Sequence, residues 1–184
     1  MRGFLFGIVF TLIVLVGTGL LAVTNGWIPV NADGGYLPFE RWAASRALNA
    51  AIRREMPKGP LPIQPTSANL IAGIKLYAQN CEVCHGAADG KPTTISKGLY
   101  QHAPRLAEHG VEDDPEGETY WKIAHGIRWT GMPSFGKTLN DRQIWQLTLF
   151  LKHMDDLPAD AQGVWRNVKN TASRQPKTAR KRGA

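Results

Sequence analysis

Both cysteines of the 184-residue chain stand in one pentapeptide, Cys81-Glu82-Val83-Cys84-His85. Nothing else in the sequence narrows the possible folds as far. Two thiols separated by two residues serve as a redox dithiol, as half of a zinc site or as the anchor of a c-type haem. No further cysteine completes a four-sulfur zinc site or a disulfide framework. A thioredoxin-like dithiol needs a strand ahead of its first cysteine, in a βαβ setting. Here a helical pattern precedes it, with Leu70, Ile74 and Tyr77 on one face and Ser67 or Asn69 able to cap. The histidine directly after Cys84 favours the haem reading, in which the two thiols form thioethers with one porphyrin and His85 reaches its iron.

A closed, low-spin haem needs a second axial ligand from the other side, and thioether sulfur favours the reduced iron. Met132 is the best candidate, because Gly131 and Pro133 shape an irregular segment able to approach a flat group closely. Met154 is expected to pack at the end of the last helix, and Met56 lies outside the domain. His102, His109 and His125 remain competitors, and a bis-histidine site would have the lower potential.

The rest of the chain is organised around this centre. An uncharged apolar run, Gly3 to Thr24, is long enough to cross a hydrocarbon core of ~30 Å, and Trp27 stands where an interfacial aromatic belongs. It is longer than the ~7–15-residue apolar region of a typical signal peptide. An anchor is therefore expected, with cleavage after Ala32 as the alternative. Ala44, Ala47, Leu48, Ala51 and Ile52 recur at helical spacing over residues 40–56, opposite Arg46, Asn49 and Arg53. The spacing leaves open whether this helix packs on the domain, on lipid or on a partner. Prolines at 57, 60, 62 and 65 then read as a stiff boundary. Asp114-Pro115-Glu116 opens a helix to about His125, and the acidic cluster around it complements that helix's dipole. Asn140 and Gln143 resemble a capping box, opening a last, largely buried helix through Met154. Beyond Leu157 there is little periodicity, and the residues from Val164 onward hold seven basic side chains and no acid. The formal charge is +7, but between Asn69 and Met154 nine basic and nine acidic residues cancel, which argues against nucleic acid as a partner.

With these residues in view the chain resembles the class I c-type cytochromes, particularly bacterial membrane-bound members with one haem. The likeness covers about Asn69 to Met154 and rests on residues 80–86, on Gly131-Met132-Pro133 and on the order of the flanking helices. The resemblance implies that Gly73 and Tyr77 pack across Phe150-Leu151. It implies a proline whose carbonyl accepts from the proximal histidine, for which Pro104 is the expected equivalent and Pro92 the alternative. His125-Gly126-Ile127-Arg128 is also similar to such members. Arg128 and Trp129 either lie near a haem propionate or are an ordinary loop arginine and core tryptophan.

The expectation is an all-α chain with a class I cytochrome c domain and an N-terminal transmembrane helix. Its segments are an anchor over 1–26, a helix and Pro-rich linker over 27–66, a haem domain over 67–156 and a basic, disordered tail over 157–184. One haem c would be held by Cys81, Cys84, His85 and Met132, with Pro104 and Arg128 nearby. The protein would be an electron carrier rather than an enzyme. Its partners would be redox proteins and the cytoplasmic membrane, with the haem on the outer side. The alternatives are a haem subunit of a larger oxidoreductase, or an enzyme or gas sensor with an open iron site.

Overall fold

A computed structural model describes residues 2–168. The described residues are all-helical, without a strand. Two compact units divide the chain, Met1–Gly35 and Tyr36–Ala184.

The first unit is built on one helix, α1 (Arg2–Thr24). Its side chains are exposed nearly throughout, including Phe4, Phe6, Phe10 and Leu15, with no polar face to turn toward water. A helix apolar all round and unburied is stable in lipid rather than in water, and α1 is long and apolar enough to cross a membrane.

The second unit starts with α2 (Glu40–Glu55), which buries Ile52 and leaves its first half exposed. The core lies further on. Thr66 caps α3 (Ser67–Asn80), its hydroxyl accepting from the Asn69 N–H at 3.3 Å. The cap therefore falls one residue before Ser67. Asn69 is instead buried inside the helix, donating to the Gln64 carbonyl and accepting from Arg142 and Gln146. Asn140 and Gln143 form the expected capping box at the start of α7 (Asp141–Lys152). Helices α3 and α7 cross at Gly73, where an added Cβ would lie 2.2 Å from the Gln146 carbonyl oxygen. Only glycine permits that approach, and it brings Tyr77 edge-on to Phe150 with ring centroids 5.5 Å apart.

Between them α6 (Glu116–His125) begins after Pro115, whose ψ of 136° keeps it outside the helix. Its acidic first turn has a second role beside the dipole. Lys122 pairs with Glu118 at 2.7 Å and with Asp114 at 3.2 Å, while Lys152 of α7 donates to the Glu112 and Asp114 carbonyls. These contacts tie the cluster to α6 and α7.

The end of the described chain departs from the sequence reading. Residues 159–166 form α8 (Ala159–Arg166), which packs on α3 and buries Ala161 and Trp165. Trp165 closes a three-ring cluster, 5.3 Å from Tyr77 and 5.0 Å from Phe150. Two turns with only one i,i+4 apolar pair leave a faint periodic signal, so the helix is indistinct in the sequence. The basic stretch over 169–184 lies outside the described residues.

Candidate functional site

The Cys81–His85 pentapeptide sits where α3 ends. Cys81 is the C-cap of α3, and one further turn, α4 (Glu82–His85), carries the remainder. The Cys84 and His85 N–H groups both donate to the Cys81 carbonyl, which coils the motif tightly. Gly86 ends the turn at φ 84, where a Cβ would meet the Lys91 carbonyl oxygen at 2.7 Å. The Gly86 carbonyl in turn accepts from the buried Tyr77 hydroxyl at 2.7 Å, which fastens the end of the motif to the aromatic core.

Burial pushes the Cys81 thiol up to about 12, with Cys84 adding a smaller push the same way, and burial raises Cys84 as well. Both thiols therefore stay protonated near neutral pH. Dithiol oxidoreductases shift their nucleophilic cysteine in the opposite direction. No disulfide joins the two.

His85 Nδ1 lies 2.9 Å from the Pro104 carbonyl oxygen. A carbonyl only accepts, so Nδ1 carries the hydrogen and Nε2 keeps its lone pair. Burial holds the ring's pKa below its ordinary value, opposed more weakly by the Pro104 bond. The result is a neutral imidazole, fixed in one tautomer and one orientation, with Nε2 available to a metal.

A second segment approaches through α5 (Thr94–Gly98), which packs on α4. Leu99, just beyond α5, fills the space where a Cβ on Gly131 would stand, 2.6 Å away. Gly131 introduces Met132, and the loop holding both is tied to itself at three points. Ile127 N–H donates to the Met132 carbonyl, the Thr130 hydroxyl donates to the Ile127 carbonyl, and Met132 N–H donates to that hydroxyl. Gly126, at φ 66, lets Pro133 pass close beneath. Met132 is half-buried against the core.

The other candidates are placed elsewhere. Met154 is buried in the core. His125 is exposed and lies against Trp121 with ring centroids 5.0 Å apart, and His102 Nδ1 stands 3.1 Å from the Ser96 carbonyl oxygen. Arg128 is exposed, and so is Trp129, at 90%, which removes the core-tryptophan alternative. Two supports were not visible in advance: the Tyr77–Gly86 bond and the Thr130 bridge beneath Met132. A tyrosine on the helix before the motif and a threonine inside the methionine loop are the only traces they leave in the sequence.

Residues 68–151 match the family described as cytochrome c oxidase, cbb3-type, subunit III. A quinohemoprotein alcohol dehydrogenase ADH IIB of Pseudomonas putida is 32% identical over 94 residues, 50% of this chain and 12% of that protein. A GTPase Obg of Desulfatibacillum aliphaticivorans is 27% identical over 85 residues, 46% of this chain and 25% of that protein. The chain thus spans a quarter or less of the curated relatives it matches. No solved structure matches.

The GTPase name directs attention to residues 131–138, where Gly131 to Thr138 spells the glycine-lysine-threonine pattern of a phosphate-binding loop. Such a loop needs a strand before it and a helix opening after it, with free backbone N–H groups between. Here α6 precedes it, Phe135–Lys137 is a single 3-10 turn, and the Thr138 and Leu139 N–H groups are spent on the Phe135 carbonyl. The spelling belongs instead to the methionine loop. A neutral histidine aimed by a proline carbonyl, two protonated thiols in one turn and the family match over the same residues lead to one conclusion: residues 68–151 of this chain are a class I c-type cytochrome domain.

Proposed function

We propose that the chain carries one haem c, bound through Cys81 and Cys84, with His85 and Met132 as axial ligands, and that it passes electrons between redox proteins at a membrane. The observation that carries this reading is the 2.9 Å bond from His85 Nδ1 to the Pro104 carbonyl. It leaves Nε2 as the only ring nitrogen able to bind iron and raises its donor strength. The donor set suits the group: two thiols in one turn, a neutral imidazole beside them, and a thioether on a loop closed by its own hydrogen bonds. Once bound, the haem supplies a one-electron couple between ferric and ferrous iron.

The protein's part is to hold and to orient. Cys81 and Cys84 fix the porphyrin to the end of α3, and Pro104 sets the His85 ring. The 126–133 loop supports Met132, and with His85 and Met132 both held firmly, reorganisation on electron transfer would be small. Arg128 is proposed to lie near a propionate. The length and apolar character of α1 support an anchor, and in this proposal the membrane is the cytoplasmic one with the domain on its outer face. A near-infrared spectrum of the oxidised protein tests the ligand pair. The weak sulfur-to-iron band is expected, and it disappears in Met132→Ala. Its absence from the wild type, with ready carbon monoxide binding after reduction, contradicts the reading and supports an open iron site.

The family description favours a second reading, in which the domain serves as the haem subunit of a larger oxidoreductase. Deleting residues 169–184 separates the two. Lost co-purification with intact haem supports the subunit, whereas unaffected turnover with a soluble acceptor supports a free carrier.

A further inference from the structure

The start of the second unit presents a surface that the haem site does not use. Phe39 sits at φ 63, a left-handed conformation that bulky side chains adopt only at a steric cost, yet its ring is 82% exposed. Burial within this chain does not offset that strain. Along α2, Trp42, Arg46, Asn49 and Arg53 follow at i, i+4, i+7 and i+11, and all are exposed. The opposite stripe, Leu48, Ala51 and Ile52, packs on the unit. The outward face is therefore aromatic at its beginning and basic along its length.

The acids nearby are engaged elsewhere. Glu40 accepts from the Tyr100 hydroxyl at 2.7 Å and from the Leu37 N–H, and Glu55 pairs with Arg54. Among the described residues no carboxylate pairs with Arg41, Arg46 or Arg53. Arg41 lies over the Tyr36 ring at 5.0 Å and Arg46 over Trp42 at 6.0 Å. Aromatic rings flanked by unpaired guanidinium groups match a lipid headgroup layer, with rings at the ester level and guanidinium on phosphate. Chain continuity favours lipid over an acidic protein. The apolar helix α1 ends at Thr24 and Leu37 follows within a tether of roughly 40 Å at full extension, so with α1 inserted the surface is never far from a bilayer. At such an effective concentration weak contacts suffice.

We infer that the α2 face bearing Phe39, Trp42, Arg46 and Arg53 docks on an anionic phospholipid surface, giving the cytochrome unit a membrane contact of its own beside the anchor. The same segment is fastened to the unit through Tyr36, whose hydroxyl donates to the Tyr100 carbonyl at 3.2 Å, and through the Tyr100–Glu40 bond. Docking therefore selects which side of the cytochrome unit faces the bilayer. The inference relies on the anchor and not on the iron ligands.

The test uses full-length protein reconstituted in vesicles of phosphatidylcholine alone and of phosphatidylcholine mixed with phosphatidylglycerol. Asn49→Cys reports on the docking face and Asp156→Cys, also exposed, serves as control. Modification by a membrane-impermeant sulfonated maleimide is followed by peptide mass. Asn49→Cys is expected to react about tenfold more slowly in the anionic vesicles, with the control unchanged, because arginines at an anionic surface each contribute to binding. High salt or the added pair Arg46→Glu and Arg53→Glu restores the rate. Equal rates in both lipids overturn the inference and leave the face to an acidic protein. Slowing that survives the charge reversal overturns it too. If the haem reading were wrong, Cys81 and Cys84 would be free thiols, which alkylation after unfolding and the same peptide map record separately.

Discussion

The hydroxyl of Tyr77 is buried and donates to the Gly86 carbonyl, while its ring stands edge-on to Phe150 and Trp165. One side chain thus connects the centre of the core to the end of the Cys81–His85 turn. Burial, ahead of nearby Cys81 and Glu82, raises its pKa far above the ordinary tyrosine value, so it remains a donor at any working pH. In Tyr77→Phe the Gly86 carbonyl is left in the core without its partner, and a loss of about 1–3 kcal/mol is expected in chemical denaturation. No loss would mean that Gly86 is held by its surroundings alone. At this scale the sequence was informative where chemistry has a spelling. The pentapeptide and the Gly131-Met132-Pro133 block could be read directly. Pro104 was reachable only through family resemblance, because 19 residues separate it from His85 and no local pattern joins them. Thr66 rather than Ser67 as the cap of α3 shows the usual ambiguity of adjacent hydroxyl residues, since either can accept from an N–H of the first turn.

The helices were legible in proportion to their length and their caps. The capping box of α7 and the apolar face of α3 are local signals, and both elements stand where the pattern puts them. Helix α8 leaves little signal because it contributes only Ala161 and Trp165 to the core. Contacts between elements far apart in sequence have no local signal; the resemblance implied the packing of Gly73 and Tyr77 across Phe150, and the others were beyond reach. The joining of α2 to the loop after α5 depends on Tyr100, whose hydroxyl donates to Glu40. That bond raises the Tyr100 pKa to about 12, with lesser contributions from burial and from the Glu40 charge. The sign follows from proton counting. The unfolded chain releases this proton near pH 10, whereas the folded chain keeps it until about 12, so the contribution is complete below 10 and is lost as pH rises through 12. Tyr77 and Tyr120 also titrate late, so a phenolate absorbance titration is expected to lose one of its late-titrating tyrosines in Tyr100→Phe and keep the others. If Tyr100 ionises together with the exposed Tyr36, the tie between α2 and the loop is absent in solution.

For the molecule as a whole, the described structure is an apolar helix long enough to span a membrane and a helical unit containing a c-type cytochrome domain. The unit does not end with α7. Trp165 is 7% exposed and touches both rings at the α3–α7 crossing, so α8 belongs to the core that supports the Cys81–His85 turn. Trp165→Ala should lower stability by about 3–5 kcal/mol, the usual cost of removing a buried large aromatic. A loss below ~1 kcal/mol would return α8 to the status of a peripheral tail. Class and general organisation were readable because the motif, the apolar run and the amphipathic helices are independent signals pointing the same way. The end of the folded unit was not, because a basic run next to a short helix reads as solvated chain until its one tryptophan is seen in the core.

Covalent attachment of one haem through Cys81 and Cys84 underlies every part of the proposed function. Intact-mass measurement of the denatured chain, after acidified organic solvent has removed any loosely held porphyrin, addresses it directly. One haem is expected to be retained per wild-type chain, with loss of normal double attachment in Cys81→Ala and in Cys84→Ala. A wild-type chain whose mass equals that of the polypeptide alone, with its haem in the extract, would contradict it.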